Sequence, residues 1–318
     1  MRVIVTGAGG FIGSHLCERL LSSGEEVIGI DAFTPLYPRK LKEANLAGLR
    51  AARGFRLRER DLLDPHLRRD FEGAGAICHL AARAGVRSAA EVGFIRDNML
   101  ATEAVVRAAA AAGVRRVVLA SSSSVYGQMK GVTREEAPLR PLSAYGRSKR
   151  DAELRARHVA DGSGLELVIL RLFTVYGPRQ RPDMAFARFV HAALGGPRMA
   201  LLGDGLQVRD FTYVQDAVEA IALAVRHGEG GRVYNISGQS TASVGDALAR
   251  LAAALDRDAQ LVPAPADPRE PALTAADITC ARVELGYEPV VSLDRGIEMQ
   301  ASAALADGTR AATAGRHS

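Results

Sequence analysis

Two residues four apart in "SAYGRSK", Tyr145 and Lys149, could carry out acid–base chemistry on an alcohol. Residues with this spacing share one face of a helix. A phenol with its ordinary pKa of ~10 is a weak base at neutral pH, and a neighbouring ammonium group favours the phenolate. We therefore predict that Tyr145 exchanges a proton with the substrate and that Lys149 lowers the pKa of the tyrosine.

Four serines end the segment that precedes this pair. The stretch "ASSSSVYG" follows the apolar run "RRVVL", which predicts a buried strand. A hydroxyl at Ser122 can hydrogen-bond the same substrate oxygen that Tyr145 deprotonates, so Ser122 is predicted to be catalytic. Ser123 and Ser124 are predicted to contact the substrate.

A glycine-rich loop, "VTGAGGFIG", follows the first predicted strand and opens the first predicted helix. Glycines there let the backbone approach a pyrophosphate, whose charge meets the free amides of the helix N-terminus. In this strand–loop–helix setting the pattern predicts a dinucleotide site. Its predicted residues are Gly7, Gly10, Phe11, Ile12 and Gly13.

An acid ends the second predicted strand. Asp31 lies 18 residues after Gly13 (31 − 13), where a carboxylate accepts hydrogen bonds from the adenosine ribose and repels a 2′-phosphate. No arginine follows it directly, which favours NAD over NADP. Asp61 and Leu62, after the third strand, are predicted to lie beside the adenine.

Composition excludes several classes of protein. The chain has 318 residues, 47% apolar and 24% charged, with a formal charge of +5. It contains no apolar run of the ~20 residues that a membrane helix needs and no signal-peptide order. Dispersed arginines argue against nucleic-acid binding, and three scattered cysteines predict a reducing cytoplasm without a metal site.

Short apolar runs alternate with amphipathic segments, including predicted helices at 11–23, 98–112 and 144–158. This alternation predicts an α/β fold, a Rossmann-type doubly wound parallel sheet, over residues 1–172. Residues 173–318 are predicted to form mainly a smaller α/β substrate domain. Segments near 206–236 are expected to return to the first domain, and a disordered tail is expected from about 304.

Taken in order, the glycine loop, Asp31, "HLAA", Ser122, the Tyr145–Lys149 pair and "RLFTVYGPRQRPDMAF" resemble an extended short-chain dehydrogenase/reductase. More narrowly, the chain is similar to the NAD-dependent nucleotide-sugar epimerase/dehydratase family. The resemblance implies tightly held NAD, a nucleotide-sugar domain, and homodimers through a bundle of the helices at 98–112 and 144–158. It adds four cofactor contacts: Leu80, Ala81, Ala82 and Asn98.

The resemblance also narrows the reaction. Relatives that dehydrate their sugar carry Thr-Asp-Glu before "VYG", and decarboxylating ones carry Thr-Ser-Glu. This chain has only serines there, so it lacks the acid for further proton transfers. The expected reaction is epimerisation at C4 of a UDP-sugar through a 4-keto intermediate.

The sugar is expected to be UDP-glucuronate, converted to UDP-galacturonate, because "AGVR" and "YGPRQRPDMAF" look most like UDP-glucuronate 4-epimerases. That resemblance gives Arg181 the sugar carboxylate and Arg209 the diphosphate, whereas Asp216 is expected to cap the helix near Val214. The remaining predicted substrate contacts are Arg87, Thr174 and Arg269. The alternatives are a neutral NDP-hexose epimerase, a UDP-glucuronate decarboxylase, an NDP-sugar reductase and a non-catalytic NAD-sensing regulator.

Overall fold

The computed structural model of the protein describes residues 1–85 and 91–314. Its strands are β1 (Arg2–Thr6), β2 (Glu26–Asp31), β3 (Phe55–Glu59), β4 (Ala76–His79), β5 (Arg116–Ser122), β6 (Glu166–Leu172), β7 (Val175–Tyr176), β8 (Met199–Leu202), β9 (Val208–Tyr213), β10 (Val233–Ile236), β11 (Ser240–Ser243) and β12 (Leu261–Ala264). Its α-helices are α1 (Phe11–Ser22), α2 (Arg39–Ala51), α3 (Leu67–Phe71), α4 (Glu91–Phe94), α5 (Ala101–Ala111), α6 (Ala144–Ala160), α7 (Ala185–Ala193), α8 (Val214–His227), α9 (Val244–Leu255) and α10 (Leu293–Ala314). Short π-helical turns lie at Ile95–Leu100 and Ala281–Leu285, and a 3-10 turn lies at Ser123–Val125.

Seven parallel strands form the large sheet, in the order β10-β6-β5-β4-β1-β2-β3. The order reverses between β1 and β4, which makes this pair the switch point where doubly wound sheets bind ligands. The sheet confirms the predicted Rossmann-type α/β fold.

Alternate side chains of the strands serve two separate cores. Val3, Val5 and Cys78 pack with α1, α2 and α8 on one face, whereas Ile4 and Ile77 pack with α3, α5 and α6 on the other. Strands buried on both faces are near-continuous apolar runs, which is why the sequence predicted them clearly. Both faces of the sheet are therefore covered, and the edge formed by the strand ends is left for ligands.

A second group of elements follows β6. It comprises a three-stranded sheet (β11-β9-β7), a two-stranded one (β12-β8), and helices α7, α9 and α10. Helix α8 packs on α1, and β10 joins the large sheet beside β6. Helix α10 extends to Ala314, beyond residue 304, where the sequence predicts a disordered tail; its alanine-rich segment has a high helix propensity.

Candidate active site

The glycine loop leads from β1 into α1 at the switch point. Gly7 has a φ of +72°, and a Cβ there would lie 2.9 Å from the amide nitrogen of Ala81. A Cβ on Gly13 would meet the carbonyl oxygen of Gly7 at 2.1 Å. No side chain caps the start of α1 at Gly10, so its first amides can bind an anion. This cradle fits the pyrophosphate of a dinucleotide.

A cavity of about 400 Å³ lies beside the ends of β2 and β3. Its lining residues are Ala32, Thr34, Pro35, Glu59, Arg60, Asp61 and Arg96. Asp61 faces it and pairs with Arg96, whereas the side chain of Leu62 is buried in the core. The cavity adjoins Asp31, so its position suits the adenosine half of the cofactor, with Leu62 contributing backbone rather than side chain.

The structure brings Ser122, at the end of β5, together with Tyr145, in the first turn of α6. The Ser143 hydroxyl caps that helix by accepting a hydrogen bond from the Gly146 amide at 3.0 Å. This cap fixes the start of the helix and therefore the position of Tyr145. The Tyr145 ring lies 6.1 Å from that of Phe94, and its hydroxyl is close enough to Ser122 for the serine side chain to act on the phenol. The two hydroxyls are therefore placed so that one substrate oxygen can contact both.

Lys149 does not contact the phenol directly. Its ammonium donates to the carbonyl oxygen of Ala120 at 2.6 Å, and burial lowers its pKa to about 8. Burial raises the pKa of Tyr145, an effect that the Ser122 hydrogen bond and the charge of Arg181 only partly offset. Desolvation thus outweighs the charges around the phenol in this structure, and the role of Lys149 in lowering the pKa of the tyrosine stays a prediction.

The other serines have different surroundings. Ser121, directed to the opposite face of β5, hydrogen-bonds the buried Glu153. Ser123 is buried, while Ser122 accepts from the amide of Ser124 at 3.2 Å and so caps the 3-10 turn. Only Ser122 and Ser124 are half exposed on the site side, and the loop offers no acid.

Beneath the site, His79 at the end of β4 is fully buried. Its Nδ1 lies 2.7 Å from the Thr6 hydroxyl, and its Nε2 lies 3.0 Å from the Thr102 hydroxyl. Burial, reinforced by the charge of Lys149, lowers the pKa of His79 to about 3. The imidazole is therefore neutral at physiological pH and acts as a hydrogen-bonding link between β1 and α5.

His79 predicts how stability depends on pH. An unfolded chain protonates this residue below pH ~6.5, whereas the folded protein keeps it neutral down to about pH 3. The free energy of unfolding should thus fall as the pH drops from 6.5 to 3, by up to ~4 kcal/mol from this group. In urea unfolding at several pH values, His79→Gln should flatten this slope, and the exposed control His66→Gln should not. Equal slopes in His79→Gln and the wild type would contradict the assignment.

A π-helical turn positions Asn98 between two parts of the site. Its amide oxygen accepts from the Arg83 backbone amide at 2.7 Å, and its amide nitrogen donates to Arg83 O and to the Ser148 hydroxyl, both at 2.9 Å. Such turns are frequent at functional sites. Asn98 thereby joins the loop after β4 to the helix of Tyr145, and Arg83 is fixed further by an ion pair with Asp97.

Arg181, in the loop after β7, lies near the reacting hydroxyls. Its guanidinium donates to the carbonyl oxygen of Ala84 at 3.1 Å and pairs through Nε and Nη2 with Asp183. Thr174 is half buried just after β6. The predicted contact Arg87 lies outside the described residues.

Two predicted substrate arginines approach one loop in the second group of elements. Arg209, on β9, pairs with Glu270 at 3.2 Å. Arg269, whose side chain is 45% exposed, pairs with Asp267. The structure thus places Arg269 one residue from the partner of Arg209, and Arg209 is the more buried of the two.

Asp216 does not cap α8, so that prediction is wrong. Its carboxylate accepts from the amides of Val290 and Val291, both at 3.2 Å. Residue 213, a tyrosine, precedes the helix and makes no side-chain cap. Asp216 is inside the first turn and instead fixes the loop that leads to α10.

This sheet, glycine cradle and serine–tyrosine pair define a dinucleotide-dependent enzyme of the short-chain dehydrogenase/reductase class. A model of the NAD dependent epimerase/dehydratase family matches residues 3–237. The chain belongs to that family, which confirms the predicted resemblance and NAD as the cofactor. None of the helices in the described part of the chain has the length and apolar character to cross a membrane.

Three similar proteins show the range of the family. The Bacillus subtilis protein named as an uncharacterized UDP-glucose epimerase, YtcB, is 40% identical over 93% of this chain and 96% of its own. A dTDP-glucose 4,6-dehydratase of Streptomyces griseus is 36% identical over 93% of this chain and 91% of its own. The structure of a Bacillus cereus UDP-glucuronic acid 4-epimerase with UDP-glucuronic acid and NAD superimposes with a TM-score of 0.92 at 36% identity, covering 96% of this chain and 99% of that one.

Proposed function

We propose that this protein is an NAD-dependent isomerase that epimerises UDP-glucuronate to UDP-galacturonate at C4. The observation that carries the proposal is the meeting of Ser122 and Tyr145 close to Arg181, with no acid in the serine loop. The Bacillus cereus epimerase, similar over nearly the whole chain, supports the same choice of sugar. A dehydratase is also similar, but elimination needs an additional acid that this loop does not offer.

The residues divide the work of the reaction. Ser122 donates to or accepts from the sugar 4-hydroxyl and holds it against Tyr145, which takes its proton and later returns it. NAD, when bound, would supply the hydride acceptor and donor for oxidation and re-reduction at C4, and inversion requires the 4-keto sugar to turn its other face to the cofactor between the two. The buried ammonium of Lys149 provides positive charge beneath the tyrosine. The glycine loop, Asp31 and the residues after β4 would hold the cofactor in place.

Arg181 would bind the carboxylate of the sugar. A guanidinium is the preferred partner for a carboxylate because two parallel hydrogen bonds form. Its charge acts on Tyr145, which agrees with a substrate whose carboxylate is carried on C5, next to the reacting C4. A 4-keto uronic acid is a β-keto acid, which loses CO₂ when the C5–carboxylate bond aligns with the ketone π system. By fixing the carboxylate out of that alignment, Arg181 would also protect the intermediate.

The test is to replace Arg181 by alanine and to assay two sugars without added NAD. We expect kcat/KM for UDP-glucuronate to fall by ~100-fold or more, because a charge-assisted bidentate contact is lost. Turnover of UDP-glucose, which has no carboxylate, should change little. Arg181→Lys, which keeps the charge without the fork, should lie between wild type and alanine.

Product analysis separates the alternatives. A UDP-galacturonate product supports the proposal, and a UDP-pentose would mean decarboxylation. Unchanged UDP-glucuronate turnover in Arg181→Ala would remove the carboxylate role and favour a neutral hexose. A small rise in UDP-pentose from the alanine variant would indicate the protective role.

A homodimer in the cytoplasm completes the proposal. Large apolar side chains are exposed on adjoining helical surfaces: Val92, Ile95 and Leu100 along α4 to α5, and Leu154 on α6. Exposed apolar side chains gathered on neighbouring helices indicate an interface. Leu100 and Leu154 lie in the segments, 98–112 and 144–158, that the resemblance assigns to the bundle, and Val92 and Ile95 extend this surface just before the first of them. The proposed cytoplasmic location rests on the three scattered cysteines of the sequence, a usage typical of reducing compartments.

The dimer predicts a change of mass. Ile95→Asp and Leu154→Glu each place a charge in the proposed interface, where burying an unpaired charge is costly. Each substitution should therefore convert the dimer to a monomer, and light scattering after size-exclusion chromatography should show half the molar mass. Val132→Glu, at an exposed apolar residue in a distant loop, serves as the control. A dimer that survives both charged substitutions would place the interface elsewhere.

A further inference from the structure

Asp31 is one half of a buried ion pair. Its Oδ2 accepts from the Gly9 amide at 3.0 Å, and its Oδ1 accepts from the Phe33 amide at 2.8 Å. The ammonium of Lys42, on α2, donates to the same Oδ1 at 2.9 Å. Only 5% of the Asp31 side chain and 9% of the Lys42 side chain are exposed. The ammonium thus stands beside the carboxylate that is predicted to bind the cofactor ribose, eleven residues along the chain from the acid.

Aromatic rings surround the lysine. Its Nζ lies 5.8 Å from the ring centroid of Phe33 and 5.4 Å from that of Tyr37. Phe33 adopts a left-handed φ of +49°, which a bulky residue does at a cost. The conformation brings the Phe33 amide onto Asp31 and the Phe33 ring toward Lys42, and ring faces stabilise cations. The strained turn therefore helps to hold the ion pair together.

The pair changes how the site discriminates between cofactors. An isolated carboxylate repels a 2′-phosphate, but Asp31 and Lys42 together carry no net charge, so most of that repulsion is cancelled at short range. What remains is hydrogen bonding: ribose hydroxyls donate to a carboxylate, whereas phosphate oxygens only accept. The ammonium, in contrast, can donate to either a hydroxyl or a phosphate.

We propose that Lys42 is a second cofactor-specificity residue, which orients Asp31 toward the adenosine ribose and forms a latent binding site for a 2′-phosphate. The Asp31 carboxylate then provides the preference for NAD, and Lys42 limits that preference. Removing that carboxylate would expose a preformed phosphate-binding lysine. This inference concerns only the adenosine end of the cofactor and does not depend on which sugar is epimerised.

The test measures binding rather than turnover. Cofactor-stripped protein is titrated calorimetrically with ADP-ribose and with 2′-phospho-ADP-ribose, which lack the nicotinamide. We expect Asp31→Asn to shift the affinity ratio toward the 2′-phosphate by ~100-fold or more, as repulsion between acceptors is replaced by charge-assisted hydrogen bonds. Adding Lys42→Met to the Asp31→Asn variant should reduce that shift in the affinity ratio by a factor of at least ~10.

Lys40→Met, at an exposed position on the same helix, is the matched control and should leave the ratio unchanged in the Asp31→Asn background. Equal 2′-phospho-ADP-ribose affinity in Asp31→Asn with and without Lys42→Met would overturn the proposal. So would an Asp31→Asn ratio equal to that of the wild type. Thermal unfolding checks that each variant is folded, and Asp31→Ser repeats the comparison should the asparagine variant not fold.

Discussion

Replacing Tyr145 by phenylalanine should lower the kcat of epimerisation by ~10³-fold, within the range that loss of a positioned acid–base group produces. The variant loses one oxygen atom, and the ring can keep its contact with Phe94. Ser122 cannot replace the phenol, because an aliphatic hydroxyl is a much weaker acid than a phenol and gives up its proton far less readily. KM for the UDP-sugar should change by less than about tenfold, because the phenol acts mainly in the transition state.

A matched control uses Tyr234→Phe. That phenol donates to Glu284 at 2.8 Å on the edge strand of the large sheet, so its loss should alter stability and leave kcat within about twofold. Rates are measured by separating the two epimers after incubation without added NAD. Equal rates for Tyr145→Phe and wild type would refute the assigned role and, with it, the proposed mechanism.

The tyrosine also marks where sequence reasoning stops. Spacing placed Tyr145 and Lys149 on one helix face and put Ser122 at the end of β5, and the structure agrees on both positions. Residue spacing could not predict that the lysine would donate to a backbone carbonyl oxygen, or that burial would raise the pKa of the phenol. Solvent exposure and hydrogen-bond partners depend on the packed fold, which residue spacing does not reveal.

The same limit explains why the sequence did not predict the interaction partners of Asp31 and Asp216. The strand end and the glycine spacing identified Asp31, but its partner Lys42 lies on the next helix, and the argument for NAD considered only the residues that follow the acid directly. A lysine in the first turn of an amphipathic helix after the second strand was the available signal. Asp216 matched a local capping pattern, yet a loop more than seventy residues later supplies its partners. The large sheet was easier to predict because most of its strands are apolar runs of four to seven residues, whereas β7 has only two residues.

The largest expected loss of stability comes from a buried ion pair below the site. Arg171 on β6 donates to Glu153 on α6 at 2.8 and 3.1 Å, and only 5% and 3% of these side chains are exposed. Arg171 also donates to the Tyr126 hydroxyl at 2.9 Å, and Ser121 hydrogen-bonds the acid. Glu153 is four residues after Lys149, whose pKa its charge raises. The pair thus links the catalytic helix to the sheet.

Arg171→Met should lower the free energy of unfolding by ~3–5 kcal/mol, because it leaves a buried carboxylate without a counter-ion. Chemical denaturation at pH 7.5 and 5.5 should show that the loss of unfolding free energy, relative to wild type, is smaller at the lower pH. A carboxylate left in the core without its counter-ion costs less once it is protonated, so the loss shrinks as the pH falls. The double variant Glu153→Met/Arg171→Met should be more stable than Arg171→Met, since neither ion is then desolvated.

The control is Arg116→Met, whose partner Glu166 remains 31% exposed. This substitution should cost less unfolding free energy, because water can solvate the acid that is left. A loss as small as that of the Arg116 variant, with no dependence on pH, would mean that the Arg171 pair contributes little and that packing alone fixes α6 on the sheet.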